Sequence, residues 1–322
     1  MRTLSFAAIA AAVLSVLTAG PSAGAVVKSG ARPCDRACLS SFADRYLAAM
    51  AAHDPARLPL APGVTFTENG QALALGEGLW ANFQGVGGYK LYFNDVARGQ
   101  AGFMGVVQEA GGNDILSLRL KVRGGRITQI ETVVARKELG ALNKPEALRD
   151  KPIFSQALAP NERRSAAQLV GVVRAYLKAM IDAKPRPDLF DPDCQRVEDG
   201  MITANDPAAP DRITKLSCGA QLATGVSKLL DRVREPRFLM VDEERGLVHL
   251  VMFFDHRGGG RKITVRFEDG STQDITSPFK TPSSFMCAEL FKVTDGKVRQ
   301  IEVVLLPVPF GMRSGWPPVG EY

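Results

Sequence analysis

Apolar residues recur at steps of three and one in two distant segments, and each segment predicts an amphipathic helix with one buried stripe. The first stripe is Leu39, Phe42, Ala43, Tyr46, Leu47 and Met50, and the second is Leu169, Val172, Val173, Tyr176, Leu177 and Met180. Every residue of the second stripe follows its counterpart by 130 positions, and both segments contain Tyr-Leu-x-Ala-Met. The same offset aligns Glu68-Asn69-Gly70 with Glu198-Asp199-Gly200. We infer that the chain contains an internal repeat.

The two copies also end in the same way. Apolar residues alternate with polar ones, as in a half-buried strand, at Leu116, Leu118, Leu120 and Val122. Residues 121–131 then match residues 292–302 at an offset of 171, and each segment contains a hairpin turn, Gly124-Gly125 or Asp295-Gly296. The larger offset means that the second copy carries 41 extra residues. We place them in the polar loop 203–217 and in the Gly- and charge-rich stretch 257–284, which predicts an added hairpin.

Both copies have the same order of elements, with a helix first and antiparallel strands last. That order predicts an α+β fold in which N-terminal helices pack on one face of a curved antiparallel sheet. The predicted organisation is a first domain over residues 26–136, a polar linker over 137–164, a second domain with insertions over 165–306 and a Pro- and Gly-rich tail over 307–322. We expect the tail to pack over the second domain through Phe310 and Trp316.

The first 25 residues predict a cleavable signal peptide. A positive start at Arg2 precedes an apolar run over residues 4–17, and the small residues Ala23 and Ala25 fit a cleavage site. The run is shorter than the roughly 20 residues that span a bilayer, which favours cleavage over a retained anchor. Nothing later in the chain is long and apolar enough to insert into a membrane. We therefore expect an exported protein, periplasmic or extracellular, and the sequence does not choose between these compartments.

Export makes disulfides the expected state of the cysteines. Cys194 and Cys218 flank a polar loop that a bridge would staple, and Cys34 and Cys38 lie four residues apart near a helix start. Four cysteines allow three pairings, and the sequence alone does not choose among them. The fifth, Cys287, lies in a predicted strand and is expected to be a buried free thiol.

Composition excludes several classes of function. Apolar residues make up 45% and charged residues 23% of the 322, as in ordinary globular proteins. The net charge is +6, but the basic residues are dispersed, which argues against nucleic-acid binding. The chain has three histidines and no His or Cys cluster at ligand spacing, so no metal is expected. It has no nucleophile elbow, phosphate loop or dinucleotide fingerprint, so no cofactor is expected.

The helix with Tyr-Leu-x-Ala-Met and the closing hairpin of the form Lys-Val-x-x-Gly-Lys-Val-x-x-Ile-Glu resemble the SnoaL-like branch of the nuclear-transport-factor-2-like superfamily. The resemblance occurs once in each copy. More narrowly, residues 34–39, 66–70 and 241–247 resemble a group of exported bacterial and fungal proteins of uncharacterised function. The resemblance implies cone-shaped domains, each with a cavity between helices and sheet. Such domains include ketosteroid isomerase, scytalone dehydratase, limonene epoxide hydrolase, polyketide cyclases and non-catalytic transport adaptors, so the fold does not assign a function.

The catalytic residues of those enzymes have no clear counterpart in this chain, so candidate residues are taken from its own pattern. In the first copy, Glu68, Tyr89 and Asp95 could reach the cavity mouth and share acid–base work. The alternative is that Glu-Asn-Gly forms a turn, since Asn-Gly is a strong turn signal, and that the aromatic residues are core.

In the second copy, charged residues lie at both ends of one apolar strand. His256 could act as a base, Asp242 could orient it, and Arg245 could stabilise a developing oxyanion. The alternative is a solvated charged turn with His256 on the surface. Glu131 and Glu302 occupy matching places in the last strands and could point into each cavity or pair with a basic residue such as Arg119.

Two functions remain open at this point. The first is an exported protein that binds a small apolar or aromatic ligand, which could be a cofactor-independent lyase, isomerase or hydrolase acting on an apolar ring-containing compound. The second is a non-catalytic binding or interaction module, which would have filled cones and an exposed apolar patch. A homodimer is compatible with either function. We expect the second copy to be the working one, because it carries the insertions.

Overall fold

A computed structural model of the chain describes residues 34–137 and 143–317. The predicted signal peptide, residues 1–25, lies outside these ranges. The described residues all belong to one compact unit. None of the described helices has the length and hydrophobicity needed to cross a bilayer.

The first half of the chain forms a helix and a six-stranded mixed sheet. Its elements are α1 (Arg36–Ala51), β1 (Leu60–Glu68), β2 (Gln71–Ala72), the one-turn helix α2 (Leu79–Asn82), β3 (Gly85–Asp95), β4 (Gln100–Glu109), β5 (Gly112–Arg123) and β6 (Arg126–Ala135). The strand order is β2-β1-β6-β5-β4-β3. The strands β1 and β6 run parallel, and the other neighbours run antiparallel.

The second half repeats this order and adds elements to it. It contains α3 (Ala166–Asp182), β7 (Phe190–Glu198), β8 (Met201–Ala204), α4 (Arg212–Lys215), α5 (Cys218–Ala223), β9 (Arg232–Asp242), β10 (Leu247–His256), β11 (Lys262–Arg266), β12 (Thr272–Thr276), β13 (Ser283–Thr294) and β14 (Lys297–Val308). Its six-stranded sheet has the order β8-β7-β14-β13-β10-β9, which matches the first sheet strand for strand. The hairpin β11–β12 lies in the stretch 257–284, and α4 lies in the loop 203–217.

Capping residues explain where the two long helices begin. The side chain of Asp35 accepts a hydrogen bond from the backbone N–H of Cys38 at 2.9 Å, and Ser165 and Gln168 form a capping box on α3. The helix α3 ends at Ala183, which has a left-handed backbone with φ of 48°. The predicted stripes are buried except at Val172, which is partly buried. The helices therefore form where the sequence predicts them.

Three apolar cores hold the molecule together. One lies between α1 and the first sheet, and another lies between α3 and the second sheet. The third joins the opposite faces of the two sheets, where Phe93 and Met104 of the first cluster with Val251, Phe253 and Met286 of the second. Both faces of each sheet are therefore covered, which accounts for strands such as β10 that are apolar on almost every residue.

The segment predicted as a polar linker contributes to the core between the sheets. Its described part, residues 143–164, contains short 3-10 turns at Pro145–Ala147 and Pro152–Phe154. Leu148 and Phe154 are buried against residues of both sheets. The linker thus fixes the position of the two halves, beyond connecting them.

The C-terminal segment contacts both halves, whereas the sequence predicts packing over the second domain alone. The backbone carbonyl of Met312 accepts a hydrogen bond from Arg234 at 2.9 Å. Trp316 then reaches the first half, where its indole N–H donates to the hydroxyl of Thr67 at 2.8 Å. The buried polar partner on β1 explains why the ring lies there.

The structure contains two disulfides, Cys34–Cys38 at the start of α1 and Cys194–Cys218 between β7 and α5. The second bridge closes the inserted loop onto the sheet. Cys287 is a buried free thiol on β13. Two disulfides are typical of proteins from oxidising compartments.

Candidate functional site

A cavity of about 280 Å³ lies inside the second half, between its helices and its sheet. Apolar side chains line most of it, including Met180, Leu222, Phe254, Phe285 and Leu305. Seven polar or charged side chains interrupt this lining: Tyr176, Arg196, Glu198, Gln221, Ser227, His256 and Glu289. A mostly apolar pocket with a few convergent polar groups is the usual form of a small-molecule site.

The two-residue period of the strands decides which side chains enter the cavity. On β13, Phe285 and Glu289 face the cavity on the same side as Cys287. On β10, Phe254 and His256 face the cavity. Strand β13 therefore places the carboxyl group of Glu289 in the pocket, and the neighbouring strand β10 places the imidazole of His256 in the same pocket.

Glu289 is the most perturbed group in the pocket. It is only 2% exposed, and its Oε2 atom has no hydrogen-bond partner among the described residues. Burial, reinforced by the nearby carboxylate of Glu198 and opposed by Arg196, raises the pKa of Glu289 to about 8. At neutral pH the carboxyl group is mostly protonated, so it can donate a hydrogen bond or a proton to a ligand.

Arg196 organises the polar groups around Glu289. Its guanidinium donates to the side-chain oxygen of Gln221 at 2.6 Å and to the hydroxyl of Thr203 at 3.1 Å, and it lies 2.8 Å from a carboxylate oxygen of Glu198. Burial alone would lower the pKa of Arg196, but Glu198 and Tyr176 hold it above its usual value. Burial raises the pKa of the Tyr176 phenol. This end of the pocket thus combines a fixed positive charge with neutral proton donors.

His256 lies at the other end of the pocket. Its ring stacks on Phe279 with centroids 3.7 Å apart, and its Nδ1 lies 3.2 Å from the backbone carbonyl oxygen of Leu229. Because a carbonyl only accepts, Nδ1 carries the proton of the neutral ring and Nε2 is left as the acceptor. Burial lowers the pKa of His256, so the ring is neutral at physiological pH and can act as a base.

The two ends are separated along the strands. Leu250 pairs with Glu289 and His256 with Ser283, so six residues, roughly 20 Å of strand, separate the acid from the imidazole. Glu289 and His256 are therefore too far apart to act together on the same atom of a substrate. They suit a ligand that lies along the pocket between them.

Two of the polar positions of the cavity are apolar in the first half. At the offsets that relate the two copies, Leu118 stands at the position of Glu289 and Phe66 at that of Arg196. Both side chains belong to the core between α1 and the first sheet. The first half thus lacks the counterparts of the buried acid and of the arginine beside it.

Trp80 fills the interior of the first half. It is 1% exposed, its indole N–H donates to the Tyr46 hydroxyl at 2.8 Å, and the two rings meet edge to face. Tyr46 is the counterpart of Tyr176, which instead lines the cavity of the second half. The tyrosine of the first copy thus packs against a buried tryptophan, whereas its counterpart in the second copy borders a cavity.

The structure does not bring Asp242 and Arg245 to His256. Asp242 pairs with Leu247 at one end of β10, and His256 is the last residue at the other end, about 30 Å away. Asp242 instead accepts two hydrogen bonds from the guanidinium of Arg36, at the start of α1, one of them at 2.9 Å. Of the three residues, His256 alone lines the cavity of the second half.

Replacing Arg36 by alanine should lower the free energy of unfolding by about 1–3 kcal/mol, because it removes charge-assisted hydrogen bonds to a carboxylate whose side chain is 4% exposed. Urea denaturation measures this loss. The matched control is Arg186→Ala, which breaks a two-point contact with Asp188 on the surface and should change stability little. Equal effects of the two substitutions would contradict the structural role of Arg36.

The candidates of the first half have structural contacts. Glu68 accepts hydrogen bonds from the backbone N–H of Leu79 at 2.8 Å and from Arg136 at 3.0 Å. Asp95 accepts from the backbone N–H of Val241 at 3.0 Å and so joins the two sheets. Tyr89 lines a surface cleft of about 590 Å³ together with Arg245, and burial raises the pKa of its phenol.

Glu131 and Glu302 face the region between the sheets. Glu131 pairs with Arg237 and lies 3.5 Å from Arg119, and Glu302 lies 2.9 Å from the ammonium group of Lys151. These contacts favour the alternative of a carboxylate paired with basic residues. No group of three or more potential metal ligands occurs within residues 34–137 and 143–317.

The polar residues around Glu289 are absent from the site predicted from sequence, although two signals point to them. Glu289 is the one acidic residue on the cavity face of β13, between Cys287 and Phe291. Glu198 aligns with Glu68 at the offset of 130. Glu289 therefore differs from Glu131 and Glu302, the strand carboxylates that the sequence analysis considers, because it lies on the cavity face of its sheet.

Comparison with family models matches residues 162–305 to a domain of unknown function, DUF8021. No curated protein matches the chain. Similar solved structures include a provisionally assigned hydroxylase, AclR, from Streptomyces galilaeus, with 17% identity and a TM-score of 0.31, covering 49% of this chain and 91% of that one. A provisionally assigned SnoaL-like polyketide cyclase from a Jannaschia species has 15% identity and a TM-score of 0.26, covering 47% and 90%. A ketosteroid-isomerase-like protein from Catenulispora acidiphila, solved with trimethylamine, has 12% identity and a TM-score of 0.24, covering 46% and 97%.

Proposed function

We propose that this protein is an exported small-molecule-binding protein made of two SnoaL-like α+β domains in tandem, of which the second binds the ligand. The domains extend over residues 26–136 and 165–306. The observation that carries the proposal is the cavity of the second half, with the buried and unpartnered oxygen of Glu289 at one end. The same position in the first half is Leu118, and Trp80 fills that interior.

The lining of the cavity favours an apolar, ring-containing ligand that lies along the pocket. Phe254, Phe279 and Phe285 offer aromatic faces to it. A carbonyl or hydroxyl oxygen of the ligand would meet Glu289 and Arg196 at one end. Without such an oxygen, the buried Oε2 atom of Glu289 would stay without a partner among the described residues, so this group selects for ligands that carry one.

The same groups can perform acid–base chemistry without a cofactor. A protonated Glu289 donates a hydrogen bond to a carbonyl oxygen, and the charge of Arg196 stabilises the negative charge that develops there during enolisation, elimination or hydrolysis. The neutral imidazole of His256 can accept a proton at the other end of a long substrate. A lyase, isomerase or hydrolase acting on a ring-containing compound fits this arrangement.

An interaction module is supported less well. It requires filled cones and an exposed apolar patch, whereas the second cone is open and the sheet faces are buried against each other. The large apolar side chains that are exposed among the described residues, Val96, Ile181 and Phe310, lie in three separate segments.

A thermal-shift screen against aromatic, steroid, terpenoid and polyketide-like compounds tests the proposal. Binding to the native state raises the melting temperature, so one chemical class should give a reproducible shift. Glu289→Leu should remove most of that shift for compounds that bear a carbonyl or hydroxyl group. No shift with any class, or a shift that Glu289→Leu leaves intact, would refute the proposed site.

The internal repeat provides a matched control. Tyr176→Phe and Tyr46→Phe each remove one phenolic hydroxyl from equivalent positions of the two copies. Tyr176→Phe should reduce the shift caused by the ligand, because Tyr176 lines the cavity. Tyr46→Phe should lower the melting temperature of the free protein, since the indole N–H of Trp80 loses its acceptor, and should leave the ligand shift unchanged.

A further inference from the structure

A second cavity, of about 530 Å³, opens at the edge of the contact between the two sheets. It lies against β4, β5, β6 and β9, and Trp316 and Pro317 form one side of it. Five basic residues line it, and none of its described lining residues is acidic: Arg98, Arg119, Lys121, Arg123 and Arg237. We call this cavity the basic cleft.

The strand period explains how the charges gather there. Odd-numbered residues of β5 face the second sheet: Ile115 is part of the apolar core between the sheets, and Arg119, Lys121 and Arg123 continue the same row beyond it. Strand pairing places Lys121 between Gln100 on β4 and Gln129 on β6. The face of β5 that packs against the second sheet thus changes from apolar at Ile115 to cationic towards Arg123.

The arginines at the floor of the cleft are held in place. Arg119 donates to the side-chain oxygens of Gln100 at 2.7 Å and of Gln129 at 2.8 Å. Arg237 donates to both carboxylate oxygens of Glu131. A binding site benefits from such fixed donors, because a ligand then does not have to order them.

Among the described residues, basic side chains outnumber carboxylates in the cleft. One carboxylate, that of Glu131, serves both Arg119 and Arg237. Arg237 is only 4% exposed, and its buried Nε atom has no hydrogen-bond partner among the described residues. Burial, followed by the charges of Arg123, Arg119 and Arg98, lowers the pKa of Lys121. An anion in the cleft would offset the repulsion between these basic groups.

The equivalent place in the second half is already occupied. Lys292, the counterpart of Lys121, donates to the backbone carbonyls of Gln156 at 3.0 Å and of Arg245 at 2.6 Å. Glu302, the counterpart of Glu131, pairs with Lys151. In the second half, Gln156 and Lys151 of the linker thus supply partners to these groups. Lys121 and Glu131 have no such contact with the described part of the linker, residues 143–164, in the hydrogen bonds and ion pairs of the described residues.

We propose that the basic cleft binds a small polyanion through carboxylate or phosphate groups. Guanidinium groups form paired, charge-assisted hydrogen bonds with both kinds of oxyanion, and Lys121 adds a point charge beside them. The indole ring of Trp316, 5.9 Å from the guanidinium carbon of Arg119, offers an apolar surface to the rest of the ligand. The cleft is separate from the cavity of Glu289, so the proposal does not depend on the proposed function.

Isothermal titration calorimetry of the full chain at low ionic strength tests the proposal, with citrate and pyrophosphate as separate probes. At least one probe should bind, and its affinity should fall as salt is added. The double variant Lys121→Ala, Arg123→Ala should weaken binding by about tenfold or more. Both side chains are at least partly exposed, so this variant should keep its fold, which circular dichroism checks.

The matched control, Lys262→Ala with Arg266→Ala, removes the same two charges from the exposed face of β11. It should leave the affinity nearly unchanged, as should Glu289→Leu. Binding of citrate alone identifies a carboxylate ligand, and binding of pyrophosphate alone identifies a phosphate ligand. Failure of both probes to bind, or an equal loss in the control on β11, would overturn the proposal.

Discussion

The difference in stability between the wild-type protein and a Glu289→Gln variant should change by about 3–5 kcal/mol between pH 5 and pH 9. The pKa of Glu289 is about 8 in the folded protein, against an ordinary value of 4.5. The folded state therefore holds a proton that the unfolded state has already released over this interval. Wild-type stability falls as the pH rises towards 8, and the variant, which cannot ionise there, lacks this loss.

Urea denaturation at several pH values measures the effect. Other groups with raised pKa values, such as Asp199 and Glu302, are present in both proteins and cancel in the difference. The control is Glu268→Gln, whose side chain is exposed, and its stability profile should run parallel to that of the wild type. A parallel profile for Glu289→Gln as well would show that Glu289 is not buried in its neutral form.

Trp80→Ala should destabilise the protein by about 3–5 kcal/mol, because it empties a large volume in a filled core and leaves the Tyr46 hydroxyl without its donor. Thermal and urea denaturation measure this loss. Phe279→Ala is the comparison in the second half. It should cost less, because Phe279 is partly exposed and already borders a cavity.

Similar losses for Trp80→Ala and Phe279→Ala would contradict the distinction between a filled and an open cone. Binding of indole to the Trp80→Ala variant tests whether the loss of stability comes from an emptied cavity. Indole should raise the melting temperature of the Trp80→Ala variant, since apolar cavities made by truncation bind small aromatic molecules. It should act less on the wild type, in which the tryptophan occupies that volume.

The helices and the repeat could be predicted because their signals are local. The apolar stripe from Leu39 to Met50 keeps a helical period along its whole length, and the same stripe recurs 130 residues later, which supports both the helix and the repeat. Strand order is a different matter. The parallel pairing of β1 with β6 and the packing of two sheets face to face depend on contacts between distant residues, which no periodicity encodes.

The face of β5 that lies between the sheets shows why the alternation of polar and apolar residues does not predict which side of a strand is buried. Ser117 and Arg119 alternate with leucines and predict a solvent-facing side, yet both are buried, 3% and 4% exposed, because the second sheet covers them. Arg119 is paired with Gln100 and Glu131, and the hydroxyl of Ser117 lies 3.4 Å from Nε2 of His249. A strand face that carries a buried polar network has the same alternation of polar and apolar residues as a strand face exposed to solvent, so the sequence does not distinguish them.

The site was predicted in part. The strand period turns His256 into the cavity, but Asp242 lies at the far end of β10 and is bound by Arg36, a residue 206 positions away in the chain. Glu289 acquires its chemistry from burial beside Glu198 and Arg196. Its carboxylate could be located in a strand from sequence, but its surroundings could not.

The titration of the Glu289 carboxyl group, followed by carbon-13 NMR of glutamate-labelled protein and assigned with Glu289→Gln, is the most direct test of this account. We expect a midpoint near pH 8, as for a protonated acid inside an open pocket of the second half. A midpoint near the ordinary value, about 4.3, would show an ionised and solvated carboxylate and would contradict the proposed site.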